Sequence, residues 1–328
     1  MYFTKKINMK NELNIVISCD DNYLKHAIIL LKSVADNNIK DFKKICIHLL
    51  AHNLSEKAKN IISKDSLNFG LEIKIYDLSN LKEKLGIKVP STIAINSYSR
   101  LFISSLLSTS IDTVIYMDSD AIVNGSLKDL MEMNIQEYSV GGVLDDVSTR
   151  AKIKVNLQSN DPYINAGFLL INLKFWRDNN IEKLFLNFLY KNNGNVFHHD
   201  QGIINAICRD SIKILNPQYN MVSNFFVHSY QSFKQIPFYS KEEIQEGMKE
   251  PIFIHFTPGV VNRPWFKNCK HPYKNLYLKY KSQTRFSNEI IPFDNRPFKL
   301  RLLSFLFFHY KWAYHLLLKI RNNYSHKI

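Results

Sequence analysis

The 328-residue sequence has few cysteines and no long apolar run, and each absence excludes a class of protein. Its four cysteines stand far apart without a Cys-x-x-Cys pair, so they fit neither a zinc site nor a disulfide framework and favour a reducing cytoplasm. No stretch approaches the ~18 uncharged apolar residues of a membrane-spanning helix. The N-terminal lysines have no long apolar core behind them, which argues against a cleaved signal peptide.

Acidic residues are also scarce. Asp and Glu number 29 against 43 Lys and Arg, which leaves a formal net charge of +14. Such an excess predicts a polyanionic partner, such as nucleic acid, an anionic membrane or a phosphorylated substrate. The sequence has no recognisable nucleic-acid-binding module, so nucleic acid is not an expected partner. Hydrophobic residues form 45% of the chain, which is enough for a sizeable core.

Strand and helix patterns alternate through the first half of the sequence. Apolar runs at residues 13–18, 44–50 and 71–78 are typical of strands, and apolar residues at helical spacing follow the first run. Ser55 is a plausible N-cap for a second helix. Later strands are predicted in the segments TVIYM, SVGGVL, INAGFLLINL and PIFIHF. This alternation predicts an α/β fold with βαβ units and a mainly parallel, twisted sheet.

Acidic residues follow three of the predicted strands. Asp20 ends the first strand, Asp118 and Asp120 end the fourth, and Asp145 ends the next one. Each of them could serve only a turn or a helix cap. In open parallel sheets, however, ligands bind beyond the carboxyl ends of the strands. Three acidic groups at such ends therefore predict a shared ligand crevice.

Asp118 and Asp120 form an Asp-x-Asp pair directly after the apolar run TVIYM. Residues i and i+2 of a strand project from one face, where two carboxylates repel each other and resist leaving water. A divalent cation such as Mn²⁺ or Mg²⁺ would neutralise the pair and bridge it to the phosphates of a ligand. The pattern therefore predicts a metal site that serves a phosphorylated ligand.

Six segments in chain order resemble the motifs of one known family. They are CDDNY at 19–23, SYSRL at 97–101, IYMDSDAIV at 115–123, YINAGFLLINLKFWR at 163–177, HHDQGIINAI at 198–207 and IHFTPGVVNRPW at 254–265. With them the sequence resembles the retaining glycosyltransferases of family 8, which include lipopolysaccharide galactosyl- and glucosyltransferases and glycogenin. The resemblance implies a GT-A-like nucleotide-sugar-binding fold, with residues 1–281 as the catalytic domain.

The last two segments depart from the family pattern. Arg263 stands where the family usually has a lysine, and an arginine can still bind a diphosphate in a bidentate manner. Extra residues lie between His255 and Pro264, around Gly259. Gly202 stands where an acidic residue is common.

The resemblance implies a role for each matched polar residue. The cation would be held, together with the diphosphate of UDP, by Asp118, Asp120 and His255. The nucleotide would be bound by Asp20, Asn22, Arg100, Gly259 and Arg263. The sugar pocket and its catalytic groups would be formed by Asp145, Asn165, Asp200 and Gln201. Two of these residues have a plainer alternative, since His255 could be a buried polar group of the core and Asn165 could serve only a turn.

The implied reaction transfers glucose or galactose from a UDP-sugar to a saccharide acceptor with retention at the anomeric carbon. A retaining hydrolase would use two positioned carboxylates, but here Gln201 stands where a nucleophile is expected, and an amide is a poor nucleophile. We therefore expect attack on the face from which UDP departs, with Gln201 and Asp200 shaping the transition state. The expected acceptor is lipid-linked, such as the core of a lipopolysaccharide or lipooligosaccharide.

Residues 282–328 are interpreted as a basic, aromatic, helical tail. Residues 296–328 contain seven Lys or Arg and no Asp or Glu. An apolar stripe near helical spacing is formed by Leu302, Phe305, Leu306, Trp312, Leu316 and Ile320. This pattern predicts peripheral binding to the anionic inner face of the cytoplasmic membrane. The alternative is an ordinary helix packed on the catalytic domain.

Two other functions compete with the transferase. A phosphotransferase of the haloacid-dehalogenase type also ends a strand in Asp-x-Asp, with the first residue, here Asp118, as its nucleophile. That assignment leaves the INAGFLLINL and DQG segments unexplained. A non-enzymatic membrane-surface binding protein would need only the basic tail. Slow, Mn²⁺-dependent release of UDP from UDP-sugars distinguishes the transferase from both.

Overall fold

The computed structural model describes residues 10–78, 95–314 apart from positions 234, 236 and 295, and 316–317. The N-terminal residues considered for a signal peptide lie largely outside this part. The described chain forms two compact units. The first runs to Met221 and includes His228–His255, and the second comprises Val222–Val227 and the residues from Phe256 onwards. The functional division at residues 281 and 282 is a different boundary and stays a prediction.

Ten strands lie in the described residues. In chain order they are β1 (Lys10–Cys19), β2 (Phe42–Ala51), β3 (Glu72–Asp77), β4 (Thr113–Met117), β5 (Ala121–Val123), β6 (Val140–Leu144), β7 (Ile164–Asn172), β8 (Ile212–Ile214), β9 (Met221–Val222) and β10 (Phe253–His255). Seven of them form a sheet with the order β3-β2-β1-β4-β7-β6-β8. A second, small sheet has the order β5-β10-β9.

The seven-stranded sheet is mostly parallel, as predicted. β1 pairs in parallel with β2 and β4, β3 pairs in parallel with β2, and β8 pairs in parallel with β6. Consecutive residues of β1 are fully buried, namely Ile15, Val16 and Ile17. Because neighbouring side chains of a strand point to opposite faces, both faces of β1 are covered, which is typical of parallel sheets in α/β proteins.

One strand of this sheet runs against its neighbours. β7 pairs antiparallel with β4 and β6, so it begins at the edge where those two strands end. Phe168 of β7 pairs with Met117, the last residue of β4, and Ile164 pairs with Leu144, the last residue of β6. The start of β7, with the Asn-Ala-Gly motif at 165–167, therefore reaches the ligand-binding edge.

Helices connect the strands of the first unit. In the described residues its α-helices are Leu24–Asn38, Glu56–Asn68, Ile103–Leu106, Lys128–Glu132, Thr149–Ile153, Leu173–Asp178, Ile181–Lys191, His199–Cys208 and Lys241–Lys249. Ser55 caps the second of these as predicted, because its side chain accepts a hydrogen bond from the backbone N of Ala58 at 3.2 Å. The segment that contains the SYSRL motif is a 3-10 helix, Ile95–Phe102, followed by the single α-helical turn Ile103–Leu106.

An aromatic cluster forms the core of the second unit. Phe256 is fully buried and makes edge contacts with His271 and Tyr277, with ring centroids 4.9 and 5.6 Å apart. The described part of this unit contains the α-helices Ser223–Val227, Lys274–Ser282 and Phe298–His309, and residues 311–314 are also helical.

Within the tail, residues Phe298–His309 form a helix. The tail buries a side that the sequence pattern did not select. Phe307 and Tyr314 are buried with their ring centroids 5.1 Å apart. Exposed apolar residues of the predicted stripe are Leu302, Phe305, Trp312 and Leu316. Ile320 lies outside the described residues. Among the helices of the described part of the chain, none combines the length and hydropathy needed to cross a bilayer.

Candidate functional site

A cleft of about 330 Å³ lies beyond the carboxyl ends of β1, β2 and β4. This is the edge at which the sequence predicted a ligand crevice. Its lining residues are Ser18, Cys19, Asp20, Tyr23, His52, Asn53, Ser99, Arg100 and Tyr116. Two of the predicted nucleotide-binding residues, Asp20 and Arg100, are among them.

Asp20 lines the cleft and also contacts the start of the helix that follows β1. Its Oδ1 accepts a hydrogen bond from the backbone N of Tyr23 at 2.9 Å, so it holds the start of the following helix. Asn22 is exposed and donates to Oδ2 of Asp20 at 3.3 Å. Asp20 therefore supports the start of the helix and, from the same position, could also contact a ligand in the cleft.

Sequence reasoning missed His52 in this cleft. Its Nε2 lies 3.0 Å from the Ser99 hydroxyl. Burial lowers the pKa of His52 below its ordinary value, so the ring is neutral near pH 7. The signal that could have identified it is its position directly after β2, at the same edge as Asp20.

Asp118, Asp120 and His255 converge, as predicted for a metal site. One ligand atom from each lies within 4.8 Å of the others. The Nε2 atom of His255 is 3.1 Å from Oδ1 of Asp120 and 3.9 Å from Oδ2 of Asp118. Asp120 and His255 are buried, while Asp118 is partly exposed. Two carboxylates and an imidazole in such proximity form a donor set that fits a divalent cation.

The small sheet brings the histidine to the carboxylates across 135 positions of sequence. β5 begins directly after Asp120, and Ala121 is the antiparallel partner of His255 in β10. The hydroxyl of Ser119 donates to the carbonyl of Ser18 at 2.7 Å, which ties the Asp-x-Asp turn to β1. Strand register and this hydrogen bond thus fix the two carboxylates and the imidazole together.

Gly167 allows β7 to approach His255. A Cβ atom at this position would lie 2.2 Å from Cε1 and 2.6 Å from Nδ1 of the imidazole. The carbonyl of Gly167 also accepts a hydrogen bond from the backbone N of Asp118 at 2.8 Å. Only glycine fits between these two metal-site candidates without displacing one of them.

Arg100 joins the metal-site candidates to the predicted sugar pocket. Its Nη2 donates to Oδ1 of Asp118 at 2.9 Å, and its Nε lies 2.5 Å from Oδ2 of Asp200. The guanidinium also stacks over Tyr116, 4.2 Å from the ring centre. Burial alone would lower the pKa of Arg100, but the two carboxylates raise it overall, so the guanidinium stays charged. Burial raises the pKa of Asp200, an effect that the charge of Arg100 opposes.

Asp145, Asn165 and Gln201 form one hydrogen-bonded group. Oδ2 of Asp145 accepts from the amides of Asn165 and Gln201, both at 3.0 Å. The other amide atom of Gln201, Oε1, accepts from the backbone N of Ala166 at 3.0 Å. Asn165 also accepts from the backbone N of Gly167 at 2.9 Å, so it serves both the turn and the Asp145 group. The four predicted sugar-pocket residues are therefore joined, since Asp200 directly precedes Gln201.

Asn205 positions this group and was missed by sequence reasoning. It is fully buried, and its Nδ2 donates to the carbonyls of Ile164 and Gln201, both at 2.8 Å. Its Oδ1 accepts from the backbone N of Ile164 at 2.7 Å. Asn205 thus ties the helix that carries Gln201 to the start of β7. An amide inside the apolar run GIINAI was the available signal.

Gly202 has a steric reason to be glycine. A Cβ atom there would lie 2.0 Å from the carbonyl oxygen of Phe197. The intervening His198 and His199 both have left-handed backbone conformations, with φ of 57° and 50°. The chain therefore folds back closely onto the helix His199–Cys208, and the side chain common at this position in the family does not fit.

Two nucleotide-binding candidates lie in the second unit. Arg263 donates from Nε to the carbonyl of Phe256 at 3.3 Å, and its guanidinium lies 5.2 Å from the centre of the Trp265 ring. A Cβ atom at Gly259 would be 3.7 Å from Oδ1 of Asn224, an ordinary contact, so space alone does not require glycine there. The roles of Arg263 and Gly259 stay predictions.

Comparison with known proteins decides the family, because the family described as "Glycosyl transferase family 8" matches residues 14–269. The chain belongs to glycosyl transferase family 8. It is 26% identical over 283 residues to General stress protein A of Bacillus subtilis (strain 168), covering 85% of this chain and 96% of that protein. It is 27% identical over 303 residues to Lipopolysaccharide 1,2-glucosyltransferase of Escherichia coli, covering 90% of this chain and 83% of that protein.

The fold of this family 8 glycosyltransferase is similar to that of a solved relative. A crystal structure of the galactosyltransferase LgtC in complex with donor and acceptor sugar analogues matches with a TM-score of 0.67 and 22% identity, covering 88% of this chain and 99% of that chain. The predicted family and GT-A-like fold are confirmed, and the haloacid-dehalogenase alternative is left without support. Family 8 enzymes use a nucleotide-sugar donor and a divalent metal.

Proposed function

We propose that this enzyme transfers glucose or galactose from a UDP-sugar to a saccharide acceptor with retention, with Mn²⁺ or Mg²⁺ held by Asp118, Asp120 and His255. The observation that carries the proposal is the convergence of these three ligand atoms within 4.8 Å. Arg100 adds to it, because it contacts Asp118 and also lines the cleft at the strand ends. The cleft would take the nucleotide, with Asp20 and Asn22 facing uracil and ribose.

The chemistry requires stabilisation of a diphosphate leaving group. A bound divalent cation supplies this stabilisation as a Lewis acid. Arg263 would add a second positive charge on the diphosphate, and Gly259 would allow close approach of the backbone. Arg100 lines the nucleotide cleft, and its ion pairs with Asp118 and Asp200 would also hold these two carboxylates in place.

Retention is proposed to follow from attack on the face from which UDP departs. Both amide atoms of Gln201 are engaged, with Asp145 and with the backbone of Ala166, so the amide is held in one orientation. A fixed amide is a poor nucleophile but a suitable dipole beside developing positive charge. Asp145, Asn165 and Asp200 would complete the sugar pocket around it.

The test of the proposed function is release of UDP from a panel of UDP-sugars without acceptor. We expect slow release from UDP-glucose or UDP-galactose that requires Mn²⁺ or Mg²⁺ and stops with EDTA. A non-enzymatic membrane-surface protein would release no UDP from any of the sugars under either condition.

The choice of nucleotide gives a separate prediction. With Mn²⁺ present, UDP should bind at least about tenfold more tightly than GDP, because a cleft that holds the pyrimidine closely excludes the larger purine. Asp20→Asn keeps an oxygen for the Tyr23 cap but removes the charge, and it should weaken UDP binding. Asp21→Asn is the matched control, since Asp21 accepts from the backbone N of Ser55 and is absent from the cleft lining. Isothermal titration that gives equal affinity for UDP and GDP contradicts the uracil assignment.

The proposed acceptor is lipid-linked, such as the core of a lipopolysaccharide or lipooligosaccharide. The proposed location is the inner face of the cytoplasmic membrane, with the tail on its anionic surface. Support comes from the tail's composition and from the exposure of Leu302, Phe305, Trp312 and Leu316. Each Lys or Arg near an anionic surface contributes about 1 kcal/mol, so several of them add up to reversible binding.

Point variants test the tail without removing its buried residues. The triple variant Leu302→Ser, Phe305→Ser and Trp312→Ser should sediment much less with anionic vesicles than the parent chain, because less apolar surface enters the interface. Phe307 and Tyr314 stay in place, so the fold of the second unit is kept. High salt should weaken binding of the parent chain. A parent chain that stays in the supernatant at low salt contradicts the membrane assignment.

A further inference from the structure

Residues 288–293 of the second unit, here called the apolar loop, expose two large apolar side chains. Ile290 is 82% exposed and Phe293 is 73% exposed. Single exposed apolar residues are common on protein surfaces, but two of them close together on one short loop are less so. The loop lies within residues 282–328 but before the apolar stripe, which begins at Leu302, so the stripe does not account for it.

Buried polar groups hold the loop from both ends. At its start, Lys281 is buried and its ammonium donates to the carbonyl of Glu289 at 2.8 Å. After its end, the buried Asp294 pairs with Arg296 at 2.7 Å, and Arg296 also donates to the carbonyl of Gly259 at 2.8 Å. A buried charge is tolerated only when it is paired or hydrogen-bonded, so these contacts fix the backbone.

One further hydrogen bond fixes the tip of the loop. The backbone N of Lys267 donates to the carbonyl of Pro292 at 2.9 Å. The side-chain ammonium of Lys267 lies 4.6 Å from the centre of the Phe293 ring. Hydrogen bonds therefore fix the backbone that exposes Ile290 and Phe293 to solvent. The ammonium of Lys267 places a positive charge beside Phe293.

The net charge of the second unit's sequence favours an anionic partner for the loop. Residues 256–328 contain fourteen Lys or Arg and two acidic residues, Glu289 and Asp294. Asp294 is buried in its pair with Arg296, so these two charges cancel, which leaves thirteen Lys or Arg against Glu289. Apolar side chains beside a surplus of basic ones are typical of proteins that bind an anionic bilayer interface.

We propose that Ile290 and Phe293 insert into an anionic bilayer surface and form a second membrane contact, separate from the tail helix. This inference rests on the membrane association proposed above and adds a contact that it does not contain. Two contact elements hold the second unit in one orientation on the bilayer, whereas a single helix leaves it free to rotate.

The test compares four full-length proteins by sedimentation with vesicles that contain phosphatidylglycerol and with vesicles of phosphatidylcholine alone. They are the parent chain, the loop variant Ile290→Ser with Phe293→Ser, the tail variant described above, and a control with Leu67→Ser and Ile153→Ser. The control removes two apolar side chains that are 73% and 62% exposed in the first unit. UDP release without acceptor is measured for all four proteins.

The loop variant should bind anionic vesicles about tenfold more weakly than the parent chain, because two inserted apolar side chains are lost. The control should bind as the parent chain does, and UDP release should be equal in all four. Parent-level binding by the loop variant, with binding lost only in the tail variant, overturns this inference and leaves the proposed function intact. Equal weakening in the control, or a change of oligomeric state in the loop variant, also overturns it. Absent UDP release in the parent chain contradicts the proposed transferase instead.

Discussion

Replacement of Asp120 by alanine is expected to lower the rate of UDP release by about 1000-fold, the range found when one group that stabilises developing negative charge is removed. Asp120 lies 3.1 Å from Nε2 of His255 and would be one of the three protein ligands of the cation. The fold should survive, because the substitution also removes the repulsion between Asp120 and Asp118. Thermal unfolding and UDP release with Mn²⁺ are the two measurements.

Asp129→Ala provides the matched control for this variant. Asp129 is an exposed carboxylate in the helix Lys128–Glu132, in the same unit as the candidate site. Its loss should leave UDP release unchanged. If Asp120→Ala keeps normal turnover, or if the parent chain works equally well in EDTA, the metal-site assignment is wrong.

Gly167→Ala is expected to lower turnover by about 100-fold, the scale of effect when a reacting group is displaced by about 1 Å. The added Cβ would lie 2.2 Å from the imidazole of His255, so the ring must move away from Asp118 and Asp120. The backbone of Gly167 does not have a left-handed φ, so alanine adds no backbone strain. The effect should therefore appear as weakened Mn²⁺ binding together with a stability loss of about 1–3 kcal/mol from overpacking.

Gly125→Ala separates this effect from a general intolerance of alanine. A Cβ at Gly125 would lie 3.2 Å from Cγ1 and 3.7 Å from Cα of Ile252, so a shift of a few tenths of an ångström accommodates it. Turnover and Mn²⁺ affinity should stay near those of the parent chain. Unchanged Mn²⁺ affinity in Gly167→Ala would show that His255 is not a ligand.

The sequence predicted seven of the ten described strands, because each of these is a short apolar run that ends in turn or cap residues. It missed β5, β8 and β9, which have only two or three residues each and so carry too little pattern. It could not predict the direction of β7. The run INAGFLLIN has the same local pattern whether its neighbours are parallel or antiparallel, and only tertiary pairing with β4 and β6 decides. That direction matters to the site, because it places Asn165 and Gly167 at the ligand-binding edge.

The resemblance to family motifs identified the residues that converge at the candidate site. The local sequence pattern could not identify the contacts that position these residues. His255 reaches Asp120 through the register of β5 and β10, which no short stretch of sequence specifies. Asn205 contacts the start of β7, which lies 41 positions earlier in the sequence, so its own helix does not reveal its role. His52 enters the cleft only because β2 lies beside β1.

The tail helix is apolar on most sides, so the spacing of its apolar residues does not predict which side is buried. The run LLSFLFF between Leu302 and Phe308 offers apolar residues at several helical spacings. Period alone cannot choose the buried side of such a helix. The second unit buries Phe307 and Tyr314, and Leu302, Phe305 and Trp312 stay exposed.

Anomalous diffraction from crystals soaked with Mn²⁺ and UDP tests the central claim most directly. The account predicts a manganese peak in contact with carboxylate oxygens of Asp118 and Asp120 and with Nε2 of His255, and UDP in the cleft lined by Asp20 and Arg100. UDP bound in that cleft with no manganese at these three residues, or with manganese bound elsewhere, would contradict it.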